Sequence, residues 1–329
     1  MELKELSLDE GAGIETYVEI EEAARLVDAP WWPSTSLGRQ RLLMQHGWDG
    51  EPGRHFLLLR DDGTAVGCAA LHTTEYDNLD ASFVEIVVHP DHRRRGHGTE
   101  AMRLLGEQSK AVGRTKMGWY GWEGPQTEGF AASLGEKVKS VAVCRRQLLQ
   151  ELEPGLADRL YDEARAHADG YALERIVVPS PEELLPELAE ATAAINDAPL
   201  DDIDVEDEVF SPERVRAYER TQLLLGFRVY RIIARHVATG EIAGLSVVTV
   251  DGEAPTEGHQ HDTSVVGAHR GHRLGQLLKA DMMRWLAEVE PQLEQVDTFN
   301  AESNAHMVAV NERLSYRVMS REPQYQTLL

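Results

Sequence analysis

VHPDHRRRGHG (88–98) and VVGAHRGHRLG (265–275) are two readings of one pattern. Val88 aligns with Val265, Arg93 with Arg270 and Gly98 with Gly275, at a constant offset of 177 positions. Each stretch follows a β-like run, ASFVEIVVH (81–89) or DTSVVG (262–267), and precedes an amphipathic helix. In the first copy Met102, Leu104, Leu105, Ala111 and Val112 mark the buried face of that helix. In the second copy Leu274, Leu277, Leu278, Met282, Trp285 and Leu286 do so. Glycines between strand and helix let the backbone come close to a ligand, and a helix start offers unpaired N–H groups and a positive dipole end. Together they form a pyrophosphate site, with Arg93, Arg94 and Arg95 adding charge. No Lys-Ser/Thr closes the loop, so it is not the nucleoside-triphosphate P-loop.

The repeat extends outward from these blocks. GTAVGCA (63–69) and GEIAGLS (240–246) keep the same offset of 177. Asp28-Ala29-Pro30 recurs as Asp197-Ala198-Pro199 at 169, and SLG (133–135) aligns with RLS (313–315) at 180. Blocks in one order at nearly one offset indicate two copies of one module. Each copy has a hairpin, HFLLLR and AVGCAALH (55–60, 65–72) or VYRIIARHV and IAGLSVVTV (229–237, 242–250), around a glycine turn. VDTF (296–299) is a further strand, and a last helix begins near Asn304. The expected class is α/β. The expected boundaries are residues 1–150, a connecting helix over 151–170 with Pro154 near its start and Gly170 at its end, and residues 171–329.

The formal charge of −23 disfavours nucleic acid, whose phosphates would be repelled, and suits a cationic ligand. Cys68 and Cys144 lie in apolar strands without zinc spacing and read as buried thiols. No stretch has the apolar length to span a membrane, and the opening MELKELSLDE is no signal peptide, so a cytoplasmic protein is expected. After Asp197-Ala198-Pro199 come Asp201, Asp202, Asp204, Glu206, Asp207 and Glu208, which read equally as a lure for an amine at the second copy or as a solvated loop leading to the helix start at Ser211-Pro212-Glu213.

VHPDHRRRGHG resembles motif A of the GNAT acetyltransferases, V-x-P-x-x-[RQ]-x-x-G-x-[GA]. The second copy is similar but has Gly267 for the proline and Arg273 for the middle glycine. NAESNAHMVAVNERLSY (300–316) resembles the family's closing segment, and two copies in one chain resemble the mycothiol synthases. The resemblance implies two tandem domains, each a mixed, mostly antiparallel sheet flanked by helices. It implies acetyl-CoA as co-substrate, no metal, a primary amine of a small molecule as acceptor, and a monomer or homodimer. It assigns coenzyme contacts to Val87, Val88, Arg93, Arg94, Arg95, Gly96, His97, Gly98 and Thr99. In the second copy it assigns them to Val265, Val266, Arg270, Gly271, His272, Arg273, Leu274, Gly275, Gln276 and Asn304.

Amide formation from a thioester needs a base for the ammonium proton, a donor for the oxyanion and a means for the thiolate to leave. Glu85 and Asp262, each three residues before the motif valine, are the candidate bases. The tyrosine that the family uses as acid is absent: Asn311 stands in its place in the second copy and Ala131 in the first. The first copy has the fuller loop and the second the fuller ending, which favours the second for chemistry. A non-catalytic coenzyme-binding or scaffold protein is the alternative reading.

Overall fold

The computed structural model describes all residues, Met1–Leu329. In chain order the elements are β1 (Glu2–Glu5), α1 (Gly11–Asp28), α2 (Leu37–His46), β2 (Arg54–Leu59), β3 (Ala65–His72), β4 (Ala81–Val88), α3 (His97–Ala111), β5 (Lys116–Tyr120), α4 (Pro125–Leu134) and β6 (Ser140–Leu148). There follow α5 (Leu156–Arg165), β7 (Tyr171–Val177), α6 (Leu185–Thr192), α7 (Pro212–Leu224), β8 (Phe227–His236), β9 (Ile242–Asp251), β10 (Glu257–Val265), α8 (Leu274–Val289), β11 (Gln295–Ala301), α9 (Ala305–Arg313) and β12 (Arg317–Leu328).

The chain forms two compact units. One comprises Met1–Val141, Leu200–Asp207 and Glu322–Leu329; the other comprises Ala142–Pro199 and Glu208–Arg321. Strands of the first run in the order β1-β2-β3-β4-β5-β12, and those of the second in the order β7-β8-β9-β10-β11-β6. Each sheet is antiparallel except for one parallel pair, β4 with β5 and β10 with β11. The last strand of each sheet comes from the other half of the sequence. Gln324–Leu328 pairs with β5, and Ala142–Leu148 pairs with β11.

The stretch expected as a connecting helix is shorter, and it belongs to the second unit. α5 ends at Arg165, and Leu156, Leu160 and Ala164 bury themselves in that unit's core with Leu277, Met282 and Trp285 of α8. Gly170, at φ 83°, supports the turn into β7 rather than a helix end.

The acidic loop after Pro199 also differs from its expected role. Leu200–Asp207 is part of the first unit. Ser140 Oγ donates to Asp201 at 2.7 Å, Lys116 Nζ lies 2.9 Å from Asp204, and the Glu206 N–H donates to Asn78 at 2.7 Å. The Asp201 and Asp204 carboxylates and the Glu206 backbone tie the loop to β5 and its neighbours, so at least these two acids have a structural use.

Hairpin glycines explain one repeated block. A Cβ on Gly67 would lie 2.6 Å from the Val87 carbonyl oxygen, and one on Gly244 would lie 2.7 Å from that of Ser264. Neither oxygen can retreat without breaking the ladder between the middle strands. Gly67→Ala and Gly244→Ala are each expected to cost on the order of 1–3 kcal/mol, as overpacking does. Thermal unfolding of the single variants checks this.

Candidate functional site

In each unit the site begins where two parallel strands part. β4 pairs with β5 only from Ala81 to Val84, and β10 with β11 only from Glu257 to Gln260. Beyond these points one edge of β4 and of β10 has no strand beside it. Backbone groups alternate sides along an antiparallel strand. The His89 N–H donates to Val66 on the β3 side, so Val87 faces β3 while Ile86 and Val88 turn their N–H groups to the open edge. The Val266 N–H likewise donates to Ala243, leaving Thr263 and Val265 to the open edge. Of the four motif valines, Val88 and Val265 therefore present free N–H groups, and Val87 and Val266 do not.

The loop arginines build the turn that follows. Arg93 Nε donates to the Val88 carbonyl at 3.0 Å, and its two terminal nitrogens grip the Asp28 carboxylate at 2.8 and 2.6 Å. Arg270 donates from Nε to the Val265 carbonyl at 3.2 Å and from one terminal nitrogen to Asp197 at 2.5 Å, a single rather than a two-pronged grip. The repeated Asp-Ala-Pro block is thereby explained, because its aspartate anchors the loop. Arg93 and Arg270 offer a phosphate a fixed loop rather than an uncommitted charge. Arg94 and Arg95 are exposed and make no ion pair or hydrogen bond, so their charge is available. Arg273 is likewise exposed, and His272 stands against the Tyr171 ring at 5.2 Å.

Both loops use two left-handed residues. In the first unit they are Arg94 at φ 61° and Gly96 at φ 83°; in the second they are Gly271 at φ 87° and Arg273 at φ 54°. Glycine and arginine have exchanged places across the repeat while the backbone has kept its path. Each loop carries one non-glycine strain of about 1–2 kcal/mol. A Cβ on Gly96 or Gly271 would meet nothing within 4 Å, so the space above each loop is open. No side chain caps α3 or α8. The N–H groups of His97, Gly98 and Thr99, and of Leu274, Gly275 and Gln276, therefore lack intrahelical acceptors. These geometries suit a pyrophosphate and an extended amide-bearing arm, as coenzyme A has. Gln276 itself is buried, donating to Leu160 O at 2.9 Å, so only its backbone faces the turn.

Two residues of the closing segment are occupied within the protein. Asn304 caps α9 by accepting from the Met307 N–H at 3.2 Å. Asn311 is fully buried, and its amide donates to Asn300 at 2.6 Å. That bond holds α9 to β11.

The carboxylates differ sharply between the units. Glu85 lies on β4 just past the parting point, and Tyr120 Oη donates to it at 2.7 Å. His72 Nε2 lies 4.0 Å away. Two more carboxylates feel Glu85: burial and its negative charge push Glu21 of α1 up to about 8 and Glu322 of β12 up to about 7. The Glu85 charge and burial also push the Tyr120 hydroxyl up strongly. Above the end of α1, Trp31 and Trp32 pack on Trp122, with ring centroids 4.9 and 5.5 Å apart. Trp122 follows Tyr120 by two residues, so the same strand end supplies both groups.

In the second unit β10 is bulged at the corresponding place. Gln260 faces Val248 and Thr263 faces Ser246, so His261 and Asp262 together oppose Val247. Glu85 faces Ala70 alone. Its counterpart is thus the His261–Asp262 pair, and the equivalence with Asp262 alone is corrected by one inserted residue. Burial raises Asp262, and the charge of Arg231 opposes this. His261 is engaged at both nitrogens, by Tyr218 at 2.5 Å and Thr249 at 3.2 Å, and burial and His259 push it down to about 3. It is neutral. Arg231 is buried beside Glu219 and Ser180. Asp262 thus has a neutral histidine beside it and a buried arginine near it, where Glu85 has further carboxylates.

Sequence reasoning missed Tyr120, Glu21, Glu322 and Tyr218. None stands at a diagnostic spacing. Glu322 reaches the first unit only because β12 does, and no local pattern announces that pairing.

Comparisons with known proteins agree with this geometry. Residues 19–124 match the Acetyltransferase (GNAT) family. A mycothiol acetyltransferase of Stackebrandtia nassauensis is 35% identical over 105 residues, 31% of this chain and 32% of that protein. That alignment thus spans about a third of the relative's length. A mycothiol acetyltransferase of Saccharomonospora viridis is 27% identical over 285 residues, 83% of each chain. A solved tandem GNAT protein from the clavulanic acid biosynthesis pathway superposes with a TM-score of 0.81 at 23% identity, covering 99% of this chain and 98% of its own. The likeness to that structure is a likeness of fold, two GNAT modules in one chain. No helix is long and apolar enough to cross a membrane.

The carboxylates of the first unit set a pH dependence. Glu21 and Glu322 have folded-state pKa values above the usual 4.5, so the folded chain binds more protons than the unfolded one between roughly pH 5 and 8. Stability is therefore expected to fall as pH rises through that window. Glu21→Gln should recover on the order of 1–2 kcal/mol at pH 8 and little at pH 5, since the site is partly solvated. Urea unfolding of wild type and variant at the two pH values measures this.

Proposed function

We propose that this chain, a tandem protein of the GNAT acetyltransferase family, transfers an acetyl group from acetyl-CoA to the primary amine of a small molecule, and that the first unit performs the transfer. The carrying observation is Glu85 at the parting of β4 and β5, hydrogen-bonded by Tyr120 and flanked electrostatically by Glu21 and Glu322. Side-chain geometry thus shifts weight from the second copy, favoured by its closing segment, to the first.

In this reading the loop and the first turn of α3 hold the pyrophosphate, with Arg94 and Arg95 supplying charge. The open edge of β4 takes the pantetheine arm by backbone hydrogen bonds, and a free strand N–H faces the acetyl oxygen. An ammonium group is attracted by the three carboxylates. Its arrival favours their ionised forms, and Glu85 accepts the proton so that the neutral nitrogen can attack. The C–N bond forms first, giving a tetrahedral intermediate that loses its second nitrogen proton to solvent and collapses as the C–S bond breaks. The thiolate of coenzyme A leaves and takes its proton from solvent, since Asn311 and Ala131 supply no acid. The second unit keeps the loop but sets Asp262 beside a neutral His261 and near the Arg231 charge, which supports binding more than turnover.

Release of free thiol from acetyl-CoA, measured against a panel of primary amines, tests the proposal. Glu85→Gln is expected to lower kcat about 100-fold or more, as loss of a general base does, while acetyl-CoA affinity stays within about threefold. Equal kcat in the variant would remove Glu85 from the chemistry. No thiol release with any amine would favour a coenzyme-binding scaffold.

A further inference from the structure

A cavity of about 310 Å³ lies inside the second unit, walled by β6, the start of α5, β11, and the middle and C-terminal half of α8. Most of its surface is aliphatic, with Leu152, Met282, Leu286 and Val296 prominent. Lys279 enters it from α8 and is only 2% exposed. No carboxylate or carbonyl receives this ammonium group. Its one close partner is the Tyr316 ring, 4.9 Å from Nζ. The acids on the wall are committed elsewhere: Glu153 pairs with Arg159 at 2.8 Å, and Asp158 with Arg284 at 2.9 Å. Burial without a counter-charge pushes Lys279 down to about 7.

A buried lysine without an anion is costly, because a charge removed from water needs a partner. An aliphatic wall of methionines and leucines would have made a tighter core with leucine at position 279. The volume is that of a small-molecule site, mostly apolar with few polar groups, of which Lys279 is the one cation and Gln147, Gln260 and Tyr316 are neutral. The coenzyme loop meets the opposite end of α8, at Arg273 and Leu274, so the cavity is separate from it. We propose that the cavity is a second ligand site for an apolar monocarboxylate, whose hydrocarbon body lies on the aliphatic wall and whose carboxylate pairs with Lys279. A cation would be repelled by the lysine, and a neutral hydrocarbon would leave it unpaired.

Isothermal titration of the full chain with octanoate, and separately with octan-1-ol, tests this. One octanoate per chain is expected, bound at least tenfold more tightly than the alcohol. Lys279→Met keeps the length and apolar body of the side chain and should lose at least tenfold in octanoate affinity, with a Tm at or above that of wild type. Equal binding of alcohol and acid, unchanged octanoate affinity in Lys279→Met, or no octanoate binding at 10 mM would overturn the proposal. Should Lys279→Met fail to fold, the ratio of acid to alcohol on the wild-type chain decides alone.

Discussion

The arginine–aspartate clamp at the foot of each loop is the contact on which the rest depends. Arg93 joins three things that would otherwise be independent: the carbonyl that ends β4, the loop it stands in, and Asp28 at the end of α1. A bidentate charge-assisted pair fixes direction as well as distance. With the loop held, two residues can remain left-handed and the first turn of α3 can stay uncapped, facing open space. Arg270 and Asp197 make the corresponding contact in the second unit through one hydrogen bond. The clamp therefore explains a short repeated block, a motif arginine and the fixed path into an uncapped helix start with one interaction.

Divergence between the copies lies around this constant frame. Glycine and arginine trade places at the two left-handed positions, which leaves the backbone path intact and moves the free charge. An inserted residue bulges β10, where a single Glu85 sits on β4. A bulge re-aims side chains near functional sites. Here it gives the second unit a neutral His261 and a screened Asp262, while the first unit gathers Glu21, Glu85 and Glu322. The carboxylates are thus gathered in the first unit, and the second lacks that cluster.

Much of the fold was legible in the sequence because it is written in local patterns: period-two strands, glycine turns, an amphipathic helix after each loop, and a register shared by both copies. The strand–loop–helix around Arg93 was legible for the same reason. The final strand of each sheet was not, because Ala142–Leu148 and Gln324–Leu328 look alike as strands and nothing in them names a partner. Glu322 was invisible on that account. The acidic loop misled in the opposite sense. Its charge density suggested a ligand, but Lys116 and Ser140, from segments distant in sequence, engage the carboxylates of Asp204 and Asp201. Arg93 and Arg270 were seen as phosphate ligands because spacing reveals a guanidinium but not the carboxylate that already holds it.

Gly96 and Gly271 stand at different places in their loops, yet both are left-handed and both have empty space where a side chain would begin. A glutamate at either position imposes the same backbone strain and puts a negative charge where the phosphates of the coenzyme would lie. Thiol-release turnover of Gly96→Glu and Gly271→Glu, compared with wild type, is the most direct measurement. Transfer in the first unit predicts that Gly96→Glu loses turnover while Gly271→Glu retains it. The reverse pattern would contradict the account and assign the chemistry to the second unit.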